Sequence, residues 1–436
     1  MIFSACRALG MEGFMVLETA VITRIVNIGL RGATLLSKFA LVFFLAGFLE
    51  PQELGLYGLL VAAIGYSLYL LGFDFYVFST RELIGTVRAS WGRLLKSQCA
   101  LTVILYLIFI PLLSLLFMAG LLPWSVAIWF FALLVLEHIA QELNRLLIAA
   151  SEQIWASIIL FLRSGLWAMF VVALMWAAPA YRSLDTVLLG WFSGCALACL
   201  LGIAKLCSMG LGGWSSNVNW SWIVRGLKVV LPFLLATLAI RAVFTLDRYA
   251  FEYLEGLQPL GAYVLYIGMC SALLAFLDAG VFAFSYPKLI AHWRNQQPSL
   301  FFKEMRALAL QTFGVSLAFV LGSLIVLDSL LGWLGKALYL YYQYLFYWLL
   351  LASTLYGISM IPHYALYAMG RDKVIIKSHV GSLLLFVISL FLLSKPLQGL
   401  AVPVSLCVVF AALTIWKGMA LFFIRQPFFS GFSIKE

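Results

Sequence analysis

The sequence predicts an all-α polytopic membrane protein of about twelve transmembrane helices in two six-helix lobes. Three observations predict it. Hydrophobic residues make up 64% of the 436-residue chain and charged residues only 11%. Apolar runs of about 20 residues recur along its whole length, and features of the first half return in the second. A mean hydropathy of +1.05 lies far outside the range of soluble domains and excludes a soluble enzyme.

Each apolar run is long enough to cross a hydrocarbon core of ~30 Å. The runs lie near 28–48, 54–79, 97–119, 125–148, 154–178, 185–207, 223–251, 257–285, 304–327, 338–369, 374–393 and 399–424. Short connections leave no segment able to fold as a separate soluble domain, so one membrane domain is expected. Its lobes are expected at 1–215 (helices 1–6) and 216–436 (helices 7–12). The run GFMVLETAVIT (13–23) is interrupted by Glu18 and lacks a small-residue cleavage site, so no cleaved signal peptide is expected.

Alternate connections differ sharply in charge. Of the 28 Lys and Arg residues, twenty fall in one set, Lys417 among them, and only Arg182, Lys336 and Lys395 fall in the other. The positive-inside rule then places both termini in the cytoplasm. Much of the formal +10 charge is thereby topological and calls for no nucleic-acid partner. The remaining five cations, Arg31, Lys38, Arg163, Arg241 and Arg248, fall within spans.

The second half matches the first at an offset of 206. QELGLYG (52–58) aligns with QPLGAYV (258–264), pairing Gln52, Leu54, Gly55 and Tyr57 with Gln258, Leu260, Gly261 and Tyr263. Six helices per half give both halves one orientation, so their pseudo-twofold axis runs along the membrane normal, as in some secondary transporters.

Polar residues form stripes on the spans. Arg24, Asn27, Arg31, Thr34 and Lys38 step by three and four along the first helix; Thr237, Arg241, Thr245, Arg248, Glu252 and Glu255 do so along the seventh. Five cations facing lipid would cost about 12–18 kcal/mol on the insertion scale. They must meet water, a carboxylate or a bound anion. Ion pairing with Asp74, Glu137, Asp247 or Asp278 is one solution, although Asp247 is adjacent to Arg248 and is expected on a different helix face. A cation-lined cavity for an anionic substrate is the other, and accounts better for all five together. Glu137, His138, Gln141, Glu142, Asn144 and Arg145 add a polar patch in the fourth span, with Arg163 across a short turn as its neighbour. Glu137 and His138 are therefore candidates for proton or sodium coupling, with a structural Glu137 and Arg163 pair as the alternative.

Other features have plainer readings. Cys99, Cys195, Cys199, Cys207, Cys270 and Cys407 fall in or beside apolar segments and read as small packing residues, with no spacing that suggests a metal. Gly190, Gly194, Ala198 and Gly202 form a small-residue stripe suited to close helix packing. The run YLYYQYLFYW (339–348) reads as part of an interfacial aromatic belt. His363, after Pro362, reads as a packed histidine near a kink.

The segment SKFALVFFLAGFLEPQELGLYGLLVAAIGYSLYLLGFDFYVFSTREL (37–83) resembles the first two helices of bacterial oligosaccharide-lipid flippases, and LDRYAFEYLEGLQPLGAYVLY (246–266) is similar to the matching signature of their second half. These are the Wzx-type branch of the multidrug/oligosaccharidyl-lipid/polysaccharide (MOP) exporter superfamily. A basic first helix, PxELGxYG, an Asp late in the second helix and a basic loop carry the resemblance. It implies a MATE-like fold and alternating access about a cavity between the lobes. It implies a non-enzymatic flippase that moves an undecaprenyl-diphosphate-linked oligosaccharide, an O-antigen unit or similar, across the bacterial inner membrane.

The resemblance also makes Arg31, Lys38, Arg241 and Arg248 the basic positions, and Asp74 and Asp278 recurrent acidic ones. The last two lie two residues apart in the repeat alignment. H+ or Na+ would be the coupling ion, with no other cofactor or metal; a polysaccharide polymerase and chain-length proteins would be partners. A peptidoglycan-type glycolipid would suit much the same cavity. A multidrug exporter would want an acidic cavity, and a glycan polymerase or ligase would need a larger outer loop than the ten or so residues found here.

Overall fold

The computed structural model describes the backbone of residues 26–430 and the side chains of residues 26–423. Arg7, Glu18, Arg24 and Lys435, together with both termini, lie outside the described residues. Helices α1 (Val26–Phe48), α2 (Pro51–Gly72, continued by Tyr76–Ile84), α3 (Arg88–Met118), α4 (Trp124–Ala149), α5 (Gln153–Ala177) and α6 (Leu184–Ser208) form the first lobe. The second holds α7 (Trp220–Glu255), α8 (Leu257–Arg294), α9 (Pro298–Leu334), α10 (Tyr344–Ala368), α11 (Asp372–Leu397) and α12 (Ala401–Ser430). A short turn at Gln398–Leu400 divides α11 from α12 inside one long apolar stretch. The described residues contain no strand.

Local chemistry starts these helices. Pro51 occupies the first turn of α2, and Glu50 with Glu53 makes a reciprocal capping box. The second oxygen of Glu53 accepts a bond from the Leu184 amide (3.1 Å), which ties the start of α2 to the start of α6. Asn219 caps α7 by accepting from the Trp222 amide (3.0 Å). Within the lobes α4 packs on α5 and α6, and α12 packs on α10 and α11; α2 meets α7 and α8 across the divide.

The matched glycines of the repeat meet where α2 crosses α8. A Cβ on Gly55 would stand 2.4 Å from the Leu257 carbonyl oxygen, and one on Gly261 would stand 2.2 Å from that of Pro51. Only hydrogen side chains allow backbones this near. At the same end Lys336 Nζ donates to the Leu49 carbonyl (2.5 Å) and Tyr339 Oη to that of Ala46 (3.1 Å). Trp333 of α9 stacks on Phe43 of α1 at 5.1 Å and lies 6.4 Å from Trp176 of α5. Arg182, Lys336 and Lys395 lie at this end, so the lobes close where basic residues are sparse. Tyr339, expected in an exposed aromatic belt, is instead fully buried in this closure, whereas Tyr341 is exposed. The Tyr339 hydroxyl reaches a backbone oxygen that α1 leaves free at its end.

Both second helices break at one repeat position. In α2 the helix ends at Gly72, and Phe73 and Asp74 take positive φ (53° and 50°); in α8 a π turn spans Asp278–Phe282. The offset of 206 carries Gly72 onto Asp278. The two aspartates thus occupy equivalent breaks despite their two-residue displacement in the alignment. The glycine stripe of α6 is a packing surface: Gly190 and Gly194 leave room for Val171 and Trp167 of α5, and Gly202 for Leu143 of α4.

Gly261→Val is expected to force α2 from α8, at a cost of about 1–3 kcal/mol to this closed arrangement. Spin labels at Gln52 and Gln258 should report a longer separation; an unchanged distance distribution would show that the crossing does not depend on the glycine.

Candidate functional site

Beyond the crossing of α2 and α8, on the side of the basic end, the lobes part around a cavity of about 550 Å³. Its walls come from both lobes: α1, α2, α4, α5 and α6 on one side, α7 and α8 on the other. Lys38, Arg163 and Arg248 all line it, and so does Glu137. Leu36, Phe39 and Phe276 extend an apolar flank along α1 and α8.

The three cations are held differently. Arg163 lies in a π turn, Leu162–Leu166, the wide turn often found at functional sites. Its Nε stands 3.1 Å from Glu137 Oε2. Glu137 Oε1 in turn accepts from Trp191 Nε1 (2.6 Å) and Cys195 Sγ (3.4 Å), so the carboxylate is fixed by three groups on two neighbouring helices, α5 and α6. Arg248 folds back on its neighbour, with Nη1 3.0 Å from Asp247 Oδ1, and also donates to the Phe244 carbonyl. The expectation that Asp247 points away from Arg248 is therefore wrong. The Asp247 side chain is buried, bonded to Tyr263 Oη (2.9 Å), and the long guanidinium arm bends to reach it. Lys38 differs from both, being surrounded by protein yet exposed to the cavity. It feels the charges of Arg163 and Glu137 but makes no hydrogen bond or ion pair with a described residue.

Arg31 and Arg241 do not line this cavity, contrary to expectation. Both are exposed, one to two turns nearer the basic end. The pitch of their stripes carries them past the cavity mouth, toward the basic end. Arg241 lies over the Tyr69 ring (5.3 Å) and is close enough to Asp74 and Asp278 to interact with both charges. Asp74 is buried, near Thr237 and Arg145, whereas Asp278 is exposed. These groups form a second polar layer between the cavity and the basic end. His138 stands apart from the cavity lining, its Nδ1 bonded to Tyr106 Oη (2.8 Å) and its Nε2 buried beside Gly72 at the α2 break. Nearby, Glu142 pairs with Arg145 (2.6 Å) and accepts from Gln98 (2.8 Å).

One assignment needs correction. Lys417, counted among the loop cations, is fully buried in α12, because the apolar run continues past it. His363 is packed, as read, but its partner is that lysine. Trp191 is not singled out by the sequence and Cys195 reads there only as a packing residue: nothing in a single helix marks them as carboxylate partners.

No family model matches the sequence, and no curated protein matches it at a significant level. Solved structures do match in shape. An inward-facing multidrug resistance MATE family transporter of the MOP superfamily superposes with a TM-score of 0.73 at 13% identity, covering 92% of this chain and 99% of its own. The lipid II flippase MurJ, in an inward closed conformation, gives 0.71 at 11% identity, with 92% and 87% covered. The chain has the MATE and MurJ fold. An outward-facing MATE transporter fits less well, at 0.55 with 13% identity over 93% of this chain and 95% of its own.

Removing one partner of a buried ion pair strands the other charge, at a cost of about 3–5 kcal/mol. Glu137→Ala should lower the thermal unfolding midpoint of the purified protein by several degrees, and adding Arg163→Met should recover most of the loss. An unaltered midpoint in the single variant would mean that cavity water already satisfies Arg163.

Proposed function

We propose that this multi-pass membrane protein is a flippase that carries an undecaprenyl-diphosphate-linked oligosaccharide from the cytoplasmic to the periplasmic face of the bacterial inner membrane by ion-coupled alternating access. The observation that carries the reading is Lys38: an ammonium without an acidic partner among the described residues, facing a cavity between two matched lobes. A diphosphate and its glycan cannot cross hydrocarbon unaided, because unsatisfied polar groups cost several kcal/mol each. One cation about 4 Å from a phosphate contributes roughly 4 kcal/mol at an effective dielectric near 20. Lys38 would grip the diphosphate, with Arg163 and Arg248 beside it, while Arg31 and Arg241 meet it on entry. Leu36 and Phe276, 68% and 53% exposed, give the lipid tail an apolar flank that leaves it in the bilayer.

The excess of basic residues at one end makes that end cytoplasmic. The closed crossing is then periplasmic, and the conformation is the one that loads substrate. Proton or sodium binding at Glu137, His138, Asp74 or Asp278 would bias the lobes between states. A polymerase and chain-length proteins would take the product. A peptidoglycan-type glycolipid is the second reading, since the same head-group chemistry would serve it.

Lys38→Gln, at normal abundance in a strain lacking other flippases, should reduce surface polysaccharide by roughly 10-fold or more, the loss of at least 1.4 kcal/mol of binding. Unaltered polysaccharide would end the head-group role, and loss of peptidoglycan with intact polysaccharide would move the substrate to the second reading. Glu137→Gln should make export depend differently on external pH or sodium, as assayed by polysaccharide labelling; an identical profile would remove Glu137 from coupling.

A further inference from the structure

Away from the cavity, in the core of the second lobe, Lys417 of α12 stands between two imidazoles. Its Nζ lies 3.1 Å from His363 Nδ1 on α10 and 3.2 Å from His379 Nε2 on α11. The two rings are parallel within 3°, with centroids 5.6 Å apart. None of the three lines the cavity. The lysine is fully buried, and no carboxylate pairs with it among the described residues.

The surroundings supply no counter-charge. The helices packed on α12 are α10, α11 and α7. His363 is the one charged or basic side chain of α10, with the Tyr364 ring at its edge (5.6 Å). On α11, Lys373 and Lys377 are exposed and Asp372 lies about two turns from His379. From α7 the Ala236 backbone faces His379, the next charged group, Arg241, turns to Tyr69, and Asp247 is committed to Arg248 and Tyr263. The geometry is also built rather than incidental. Gly381 of α11 leaves room for the Trp416 ring, which a Cβ would approach to 2.7 Å, and Thr414 Oγ1 donates to the Leu355 carbonyl of α10 (3.3 Å).

Hydrogen bonding fixes how such a cluster handles a proton. His363 Nδ1 and His379 Nε2 accept from the lysine, so their own protons belong on His363 Nε2 and on His379 Nδ1, toward Ala236. An ammonium has three N–H donors and a neutral amine two. The two imidazole acceptors therefore match both states of Lys417, and an excess proton can arrive or leave without breaking the bonds that join the three helices. Access is graded. His363 is half-buried, whereas His379 and Lys417 are buried. Uptake starts from the neutral amine with His363 in its other tautomer, Nδ1–H donating to the amine lone pair: a proton bound at the free Nε2 forms one N–H there, the Nδ1–H bond breaks, and that proton becomes the third N–H of Lys417. Imidazole relays of this kind are common.

We propose that Lys417, His363 and His379 form the proton-binding site through which this transporter is coupled to a proton gradient. The inference rests on the transport reading above, and it places coupling in the second lobe rather than at Glu137, His138, Asp74 or Asp278. His379 faces α7, the helix that presents Arg241 and Arg248 toward the divide between the lobes.

The test is a pH titration of thermal stability on the purified full chain, which needs no substrate. Lys417→Met removes the titrating group and Lys417→Arg keeps a charge that cannot be lost. Replacing a buried charge by an apolar chain of similar length is commonly neutral or stabilising, so the Met variant is expected to fold; His363→Gln provides a second variant. From about pH 5.5 to 9 the difference in unfolding midpoint between the native chain and either Lys417 variant should change by about 1–3 °C per pH unit over at least one unit. In cells, export by the native chain should fall on adding a protonophore, and the Met and Arg variants should have lost export. A constant midpoint difference overturns the proposal, since Lys417 would then be permanently charged and structural. Stabilisation of the native chain, but not of the Met variant, by chloride over gluconate overturns it in favour of an anion site. A titrating midpoint with native, protonophore-sensitive export in the Met variant overturns the coupling role. If instead no form of the chain exports glycan while the midpoint titrates, the flippase reading fails and the proton site stands.

Discussion

A charge inside an apolar slab must find water, an opposite charge or a full set of acceptors, and this constraint organises the whole molecule. Each in-span cation meets it in its own way. Arg163 takes the carboxylate of Glu137, which Trp191 and Cys195 of α6 also hold in place. Arg248 bends back to its sequence neighbour. Lys417 is enclosed by two imidazoles. Lys38 alone of the cavity cations is left to the cavity, and so the cavity's electrostatic character is set by one side chain whose charge no described carboxylate cancels at short range.

That cavity exists because the lobes touch at one end only. A repeated glycine in an equivalent helix of each half lets α2 and α8 meet backbone to backbone, and the contact is pinned by Lys336, Tyr339 and the Phe43, Trp176 and Trp333 cluster. Past this point Val264 fills the space that Gly58 leaves, and Tyr57, Val61 and Val264 line the cavity that opens beyond. The paired breaks at Asp74 and Asp278 lie further along the same two helices. Each frees backbone groups that need acceptors or donors, and a neighbouring carboxylate is suited to a site that water reaches.

Properties that belong to one helix were legible in the sequence. Twelve apolar runs became twelve helices, and the alignment of Gly55 with Gly261 located the place where the lobes cross. The glycine stripe of α6 was equally plain. Properties that need two helices were not. Lys417 looked like a loop residue because it lies late in an apolar run, and only the positions of α10 and α11 reveal its two acceptors. Asp247 looked misplaced for Arg248 because a helical wheel treats a side chain as a fixed spoke, whereas a guanidinium arm can curl around the helix. Tyr339 looked interfacial by composition, yet the α1 terminus it satisfies is nearly 300 residues away in the chain.

For the proposed substrate the order of charges along the path matters more than their number. Nearest the basic end, Arg241 lies among the charges of Asp74 and Asp278 and Arg31 is exposed, so this layer holds an anion weakly. Deeper in, the Arg163 and Arg248 charges are offset by Glu137 and Asp247, and the Lys38 ammonium is the net excess. An anionic head group would therefore gain most where the lobes close. A single uncompensated ammonium contributes on the order of 4 kcal/mol at an effective dielectric near 20, enough to hold a diphosphate and little enough to release it once the crossing of α2 and α8 opens and water enters. Five unpaired cations in the same space would bind more tightly and trap it, which gives the ion pairs a role in turnover as well as in stability.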